Sequence, residues 1–136
     1  MSLSSSLLAS GPGWRVLDVM CTAGPQDRPF EERHETVCVA AVTRGTFQYR
    51  TAQGRATLAP GALLLGNSGA HFECGHEHGV GDRCLSFAFD PVYFEEVVAS
   101  APGARRPTFM MPRVPPCERL LPLIAAAEAA DDNLEF

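Results

Sequence analysis

The chain has 136 residues, 46% of them apolar and 20% charged, and a formal net charge of −5. That length holds one domain with a real core and is too short for two of ordinary size, and the composition belongs to a folded chain rather than a disordered one. All eleven basic residues are Arg, scattered except for the pair Arg105-Arg106, so the concentrated cationic patch that grips duplex DNA is missing.

Residues 1–13 (MSLSSSLLASGPG) are small and polar and read as a flexible leader. Only Leu3, Leu7 and Leu8 are strongly apolar there, and no positive charge precedes them. That is neither a secretory signal nor a membrane span, and the expectation is a cytoplasmic protein. Five cysteines in such a setting argue for free thiols or a metal site rather than a disulfide framework.

Trp14 to Cys21 alternates imperfectly, as a buried strand does. Thr22 to Glu32 (TAGPQDRPFEE) is turn chemistry, with Phe30 as the one residue that could plug something. The β-branched run from Glu35 (TVCVAAV) is a strand that ends at Arg44-Gly45. Phe47 and Tyr49 then alternate with Thr46, Gln48 and Arg50, giving a half-buried strand. Gly54 supplies a turn, Arg55 to Leu58 returns, Ala59-Pro60-Gly61 turns again, and Ala62 to Leu65 is an apolar strand closed by Gly66 to Gly69. Strands every eight to twelve residues with turns between them are the pattern of an all-β sandwich or barrel.

The period then changes. Asp90 before Pro91 predicts a helix over 91–99 with Phe94, Val97 and Val98 on one face. Ala101 to Pro107 breaks it, Thr108 to Met111 reads as one more strand, and Arg113 to Pro116 as extended chain. Pro122 belongs in the first turn of a last helix starting near Leu121, with Leu123, Ile124 and Ala127 as its buried stripe.

The order strand, Gly45, strand, Gly54 turn, Leu58-x-Pro60-Gly61, apolar strand, Gly69-x-His71, then Asp82-Arg83 and Phe87-x-Phe89-x-Pro91 resembles the N-terminal cupin domain of AraC/XylS-type transcriptional regulators. The resemblance covers roughly residues 33–99. It implies an all-β, cupin-like jelly-roll barrel over residues 14–112 with one or two C-terminal α-helices, residues 113–136 being a linker and the start of a dimerisation helix. It also implies a small-molecule effector, a homodimer, and DNA contacted only through a C-terminal pair of helix-turn-helix units that is absent from this chain. The effector pocket is expected to use His34, Phe47, Tyr49, His71 and Phe87.

Two other readings use the same barrel. Cupin enzymes hold a metal with two close histidines, a carboxylate and a later histidine; here the close pair is reduced to His34, followed by Glu35, and His71 alone stands in the late position. No catalytic residue and no required cofactor follow, and the chain is expected not to be an enzyme. The second reading rests on Cys74-Gly-His76-Glu-His78, whose three ligand-type side chains share one face of a strand. A hairpin through Gly79-Val80-Gly81 would bring Cys84 beside His76, set Asp82 opposite His78 and pair Glu77 with Arg83. Cys74, His76, His78 and Cys84 are then a possible zinc set for a metal- or thiol-sensing regulator. The plainer alternative is a hairpin with solvated histidines and cysteines that fill core space.

Overall fold

Strands written as unbroken apolar runs and strands written as strict alternations end in different sheets. The computed structural model describes residues 3–76, 81–103 and 106–129. In chain order the elements are β1 (Leu3–Gly11), β2 (Trp14–Cys21), β3 (Glu31–Arg33), β4 (Val37–Arg44), β5 (Phe47–Thr51), β6 (Gly54–Leu58), β7 (Leu63–Gly66), β8 (His71–Gly75), β9 (Asp82–Phe89), α1 (Pro91–Ser100), β10 (Arg113–Val114), a 3-10 turn (Glu118–Leu120) and α2 (Leu121–Ala129). One sheet has the order β1-β2-β9-β4-β7-β10 and the other β3-β8-β5-β6. The pairings described within both sheets are antiparallel.

The six-stranded sheet is covered on both faces, which is why β4, β7 and β9 are apolar almost throughout. Ala40, Val42, Leu64 and Cys84 point toward the smaller sheet and meet Phe47, Tyr49 and Leu58. On the other face, Val16, Ala41, Leu63, Leu65 and Leu85 pack under Ile124 of α2, with Leu120, Leu123 and Phe109 at the margin. The smaller sheet buries one face only, so β5 and β6 alternate: Phe47, Tyr49, Ala56 and Leu58 are buried while Arg55 and Thr57 are exposed.

Several expectations change. Residues 3–11 are not a loose leader: β1 pairs with β2 along its length, from Leu3 opposite Cys21 to Gly11 opposite Trp14, with an irregularity between Leu7 and Ala9. Low hydropathy does not exclude a strand at a sheet's edge, where backbone hydrogen bonds and a single neighbour suffice. Thr108 to Met111 is not a strand; β10 comes later, at Arg113–Val114, against β7. The hairpin expected from β8 into β9 does not form, because both edges of β9 are taken by β2 and β4 and both edges of β8 by β3 and β5. His78 and Glu77, which the hairpin placed opposite Asp82 and Arg83, lie outside the described residues, and Arg83 bonds through Nε to Asp18 of β2 at 2.8 Å.

The helices follow their sequence signals closely. Asp90 sits at the N-cap of α1 without a side-chain cap bond, and its own N–H donates to the carbonyl of Gly13 at 2.9 Å. Tyr93, Phe94 and Val98 are the half-buried residues of α1; Val97 is 45% exposed, so the helix face is turned slightly from the one expected. Among the described side chains of α2, Ile124 is buried and Leu123 half-buried, and the side chain of Ala127 lies outside the described set.

A chain beginning at Pro12 is expected to expose the whole edge of β2, with a lower Tm and concentration-dependent aggregation in light scattering; an unchanged Tm would show that β1 adds nothing to the sheet.

Candidate functional site

The two sheets do not close completely on each other. Between them lies a cavity of about 170 Å³. Strand parity decides what reaches it: Cys38 and Ala40 from β4, Leu64 from β7, Cys84 and Ser86 from β9, Phe47 from β5, and Phe72 and Cys74 from β8. Leu3, Val19, Cys21, Phe30, Glu32, His34, His76 and Asp82 complete the wall, so Phe30 does border the cavity although it is 48% exposed.

His34 is held by a directional hydrogen-bond chain. The Tyr49 hydroxyl donates to the carbonyl of Leu65 at 3.0 Å, and a tyrosine has one proton to give. Its oxygen therefore accepts from His34 Nε2, 2.7 Å away, which places the imidazole proton on that nitrogen. Phe72 stacks on the ring with centroids 4.0 Å apart and planes 15° from parallel. Gly66 lies directly beneath: a Cβ built there would stand 2.6 Å from ring carbons Cδ2 and Cε1, so only glycine admits the imidazole. Burial lowers the His34 pKa to about 4, and the ring is neutral at physiological pH.

The thiols behave as apolar filling. Burial pushes Cys38, Cys74 and Cys84 well above the ordinary thiol range, leaving them protonated at neutral pH. Cys38 Sγ lies 3.5 Å from Ser86 Oγ. Burial likewise raises the carboxyl groups of Glu32 and Asp82. At the cavity's edge, His76 lies between Cys21 and Asp82: Nε2 is 3.9 Å from the Cys21 sulfur and Nδ1 is 3.1 Å from Asp82 Oδ2.

Of the five residues expected in an effector pocket, His34 and Phe47 line the cavity. Tyr49 is fully buried just behind it and acts by holding His34. His71 is on the outer surface, 63% exposed and 3.4 Å from Glu31, because it alternates with Phe72 and Cys74, which point inward. Phe87 alternates with Cys84 and Ser86 in the same way and packs with the core on the opposite face of its sheet. Of the expected zinc set, Cys74, His76 and Cys84 all face the cavity, although they approach it from opposite sheets and not across a hairpin. Phe72, Ser86, Leu64, Cys21 and Asp82 were not expected there. Parity along β8 and β9 would have found the first two, but the position of Cys21 depends on the long-range register of β2 with β9.

The metal site of cupin enzymes does not fit these residues. His34 has its Nε2 committed to Tyr49, and His71, the other histidine of that pattern, points away from the barrel.

No family model matches the sequence, and no curated protein matches it. Solved structures match its fold. A cupin superfamily protein from Desulfitobacterium hafniense is 12% identical with a TM-score of 0.53, covering 65% of this chain and 78% of that one. The EutQ protein of Clostridium difficile is 11% identical with a TM-score of 0.54, covering 65% and 68%. The cupin domain of Schizosaccharomyces pombe Cnp3 is 11% identical with a TM-score of 0.54, covering 70% of each chain. This chain has the cupin fold: an all-β jelly roll with C-terminal helices.

Two outcomes test the His34 arrangement. Tyr49→Phe leaves His34 Nε2 and the Leu65 carbonyl without their buried partner and is expected to cost about 1–3 kcal/mol in chemical denaturation. The unfolded chain takes up a proton at His34 near pH 6.5 that the folded chain refuses until about pH 4. The contribution of His34 is therefore complete above pH 6.5 and is lost as the pH falls toward 4, by on the order of 3 kcal/mol. His34→Gln is expected to flatten this part of the stability curve between pH 7 and 4; parallel curves would contradict it.

Proposed function

We propose that this chain is the ligand-sensing domain of an AraC-type transcription factor, controlling a separate C-terminal helix-turn-helix unit as a homodimer in the cytoplasm. The observation that carries the reading is the cavity between the sheets, lined mainly by apolar side chains with one rigidly held imidazole and a few polar atoms, the make-up of a small-molecule site. Its volume is close to that of engineered apolar cavities of about 150 Å³ that take up benzene, which points to an occupant of roughly six to ten non-hydrogen atoms.

The sensor reading is favoured over a cupin enzyme by what converges on the cavity. His34 is tied through Nε2 and His71 faces away, so the donor set that metal-dependent turnover needs is not assembled by these histidines. Among the described residues, no helix is long and apolar enough to cross a membrane.

A route from ligand to output lies in the six-stranded sheet. Ala40, Leu64 and Cys84 face the cavity, while the neighbouring Ala41, Leu63, Leu65 and Leu85 carry α2 through Ile124. A ligand that prefers one spacing of the two sheets shifts the population of helix positions on the other side of a single sheet, and so biases the attached DNA-binding unit.

A screen of small apolar molecules by thermal shift, with light scattering on the hits, tests this. A true effector at 100 times its Kd is expected to stabilise the fold by about 2.7 kcal/mol, to change the monomer–dimer balance, and to lose its effect in Ala40→Leu, which fills the cavity. Hits that bind Ala40→Leu equally well, or that leave the oligomeric state untouched, would contradict the sensor reading.

A further inference from the structure

We propose that Cys21, His76 and Asp82 form a binding site for a divalent transition ion of the zinc class, which clamps the two sheets together at one edge of the cavity. The site goes beyond the sensor reading, since it requires neither an organic effector nor a DNA-binding partner.

The backbone brings the three residues together from both sheets. Cys21 ends β2 and Asp82 begins β9, and the two are directly opposite in the ladder, so their side chains leave the same face. His76 follows β8 in the other sheet. Two glycines permit the close approach. A Cβ at Gly45 would stand 2.8 Å from Asp82 Cα and Cβ, and one at Gly81, whose φ of +104° already disfavours a side chain, would stand 3.0 Å from the Cys21 carbonyl.

Distances and chemistry agree with an ion. One donor atom from each residue lies within 4.8 Å of the other two. Around a tetrahedral zinc with bonds of about 2.0–2.3 Å, neighbouring donors stand roughly 3.3–3.7 Å apart. An ion takes one ring nitrogen: through Nδ1 the imidazole–carboxylate separation of 3.1 Å is close to that range, while the 3.9 Å from the Cys21 sulfur is to the other nitrogen, Nε2, so the thiol closes on the ion from within the 4.8 Å cluster. Sulfur, nitrogen and oxygen together suit zinc or cobalt rather than magnesium or calcium.

An independent observation points the same way. His76 and Asp82 have side chains only 7% and 9% exposed and face each other as an ion pair, Nδ1 to Oδ2 at 3.1 Å, but the pair lacks hydrogen-bond geometry and neither atom has another partner. Buried polar atoms are rarely left so, and a shared cation satisfies both at once. Burial holds the Cys21 thiol above its ordinary range, and the backbone N–H that Ala23 donates to the sulfur at 3.5 Å only partly offsets this, so the ion itself must displace the proton. Binding is balanced by one proton: the Cys21 thiol releases it to solvent, and the sulfur lone pair goes to the ion.

Cobalt(II) and zinc(II) titrations of the purified full chain test the site. The expected result is about one ion per chain, a thiolate-to-cobalt charge-transfer band, and a raised Tm. Cys21→Ser should abolish the band, and His76→Ala and the isosteric Asp82→Asn should each weaken binding by about 100-fold or more, with folding checked by circular dichroism. Cys74→Ser, Cys84→Ser and the cavity-filling Ala40→Leu should bind cobalt like the parent, which separates this site from both the effector cavity and the Cys74/Cys84 set. Should Cys21→Ser fail to fold, Asp82→Asn decides alone. No stoichiometric binding, a cobalt complex without the thiolate band, or a site lost in Cys74→Ser or Cys84→Ser but kept in Cys21→Ser and Asp82→Asn would overturn the proposal.

Discussion

Every layer of this molecule is referred to β9. Its edges are taken by β2 and β4, Asp82, Cys84 and Ser86 meet the cavity, and Leu85 and Phe87 support the packing beneath α2. A strand used on two edges and two faces has no freedom of register, since a slip of one residue would turn Cys84 and Ser86 outward and drive Phe87 into the cavity. That constraint explains why the DRCLSFAF run carries only small residues on the inward side, where space is kept, and large ones on the outward side, where it is filled.

The same alternation explains what could be read from the sequence. The turns at Gly54 and Pro60-Gly61, the strands between them and the start of α1 at Pro91 were legible because local chemistry decides them. The role of residues 3–11 was not, since a polar edge strand is defined by its neighbour rather than by its own periodicity. His71 and Phe87 were misplaced for a correctable reason: each has the opposite parity from the inward residues beside it, so the inward positions of Cys74 and Cys84 already contradicted them. The β8–β9 hairpin fails for a topological reason. Adjacent strands with a glycine-rich connection suggest a hairpin, but a jelly roll sends them to different sheets. Cys21, remote in sequence from both, could be brought beside Asp82 only by the long-range ladder.

Two chemically different places border the cavity between the sheets. Around His34, the bonds are satisfied in a fixed direction, with a tyrosine, a carbonyl, a stacked phenyl ring and a bare glycine leaving the imidazole one orientation and one protonation state. Around His76, a buried imidazole and carboxylate meet as an ion pair without hydrogen-bond geometry. A rigid wall suits recognition of a small apolar molecule, whereas the unsatisfied corner suits an ion. Both lie where the two sheets face each other.

On the sensor reading, the space between the sheets accepts a small apolar molecule. Diffraction from a crystal pressurised with xenon tests it most directly. The account expects a xenon atom between Ala40, Leu64, Phe72 and Cys84, with the His34–Tyr49 bond undisturbed. A gap closed by repacked side chains, or filled by a hydrogen-bonded chain of water that xenon does not displace, would contradict it.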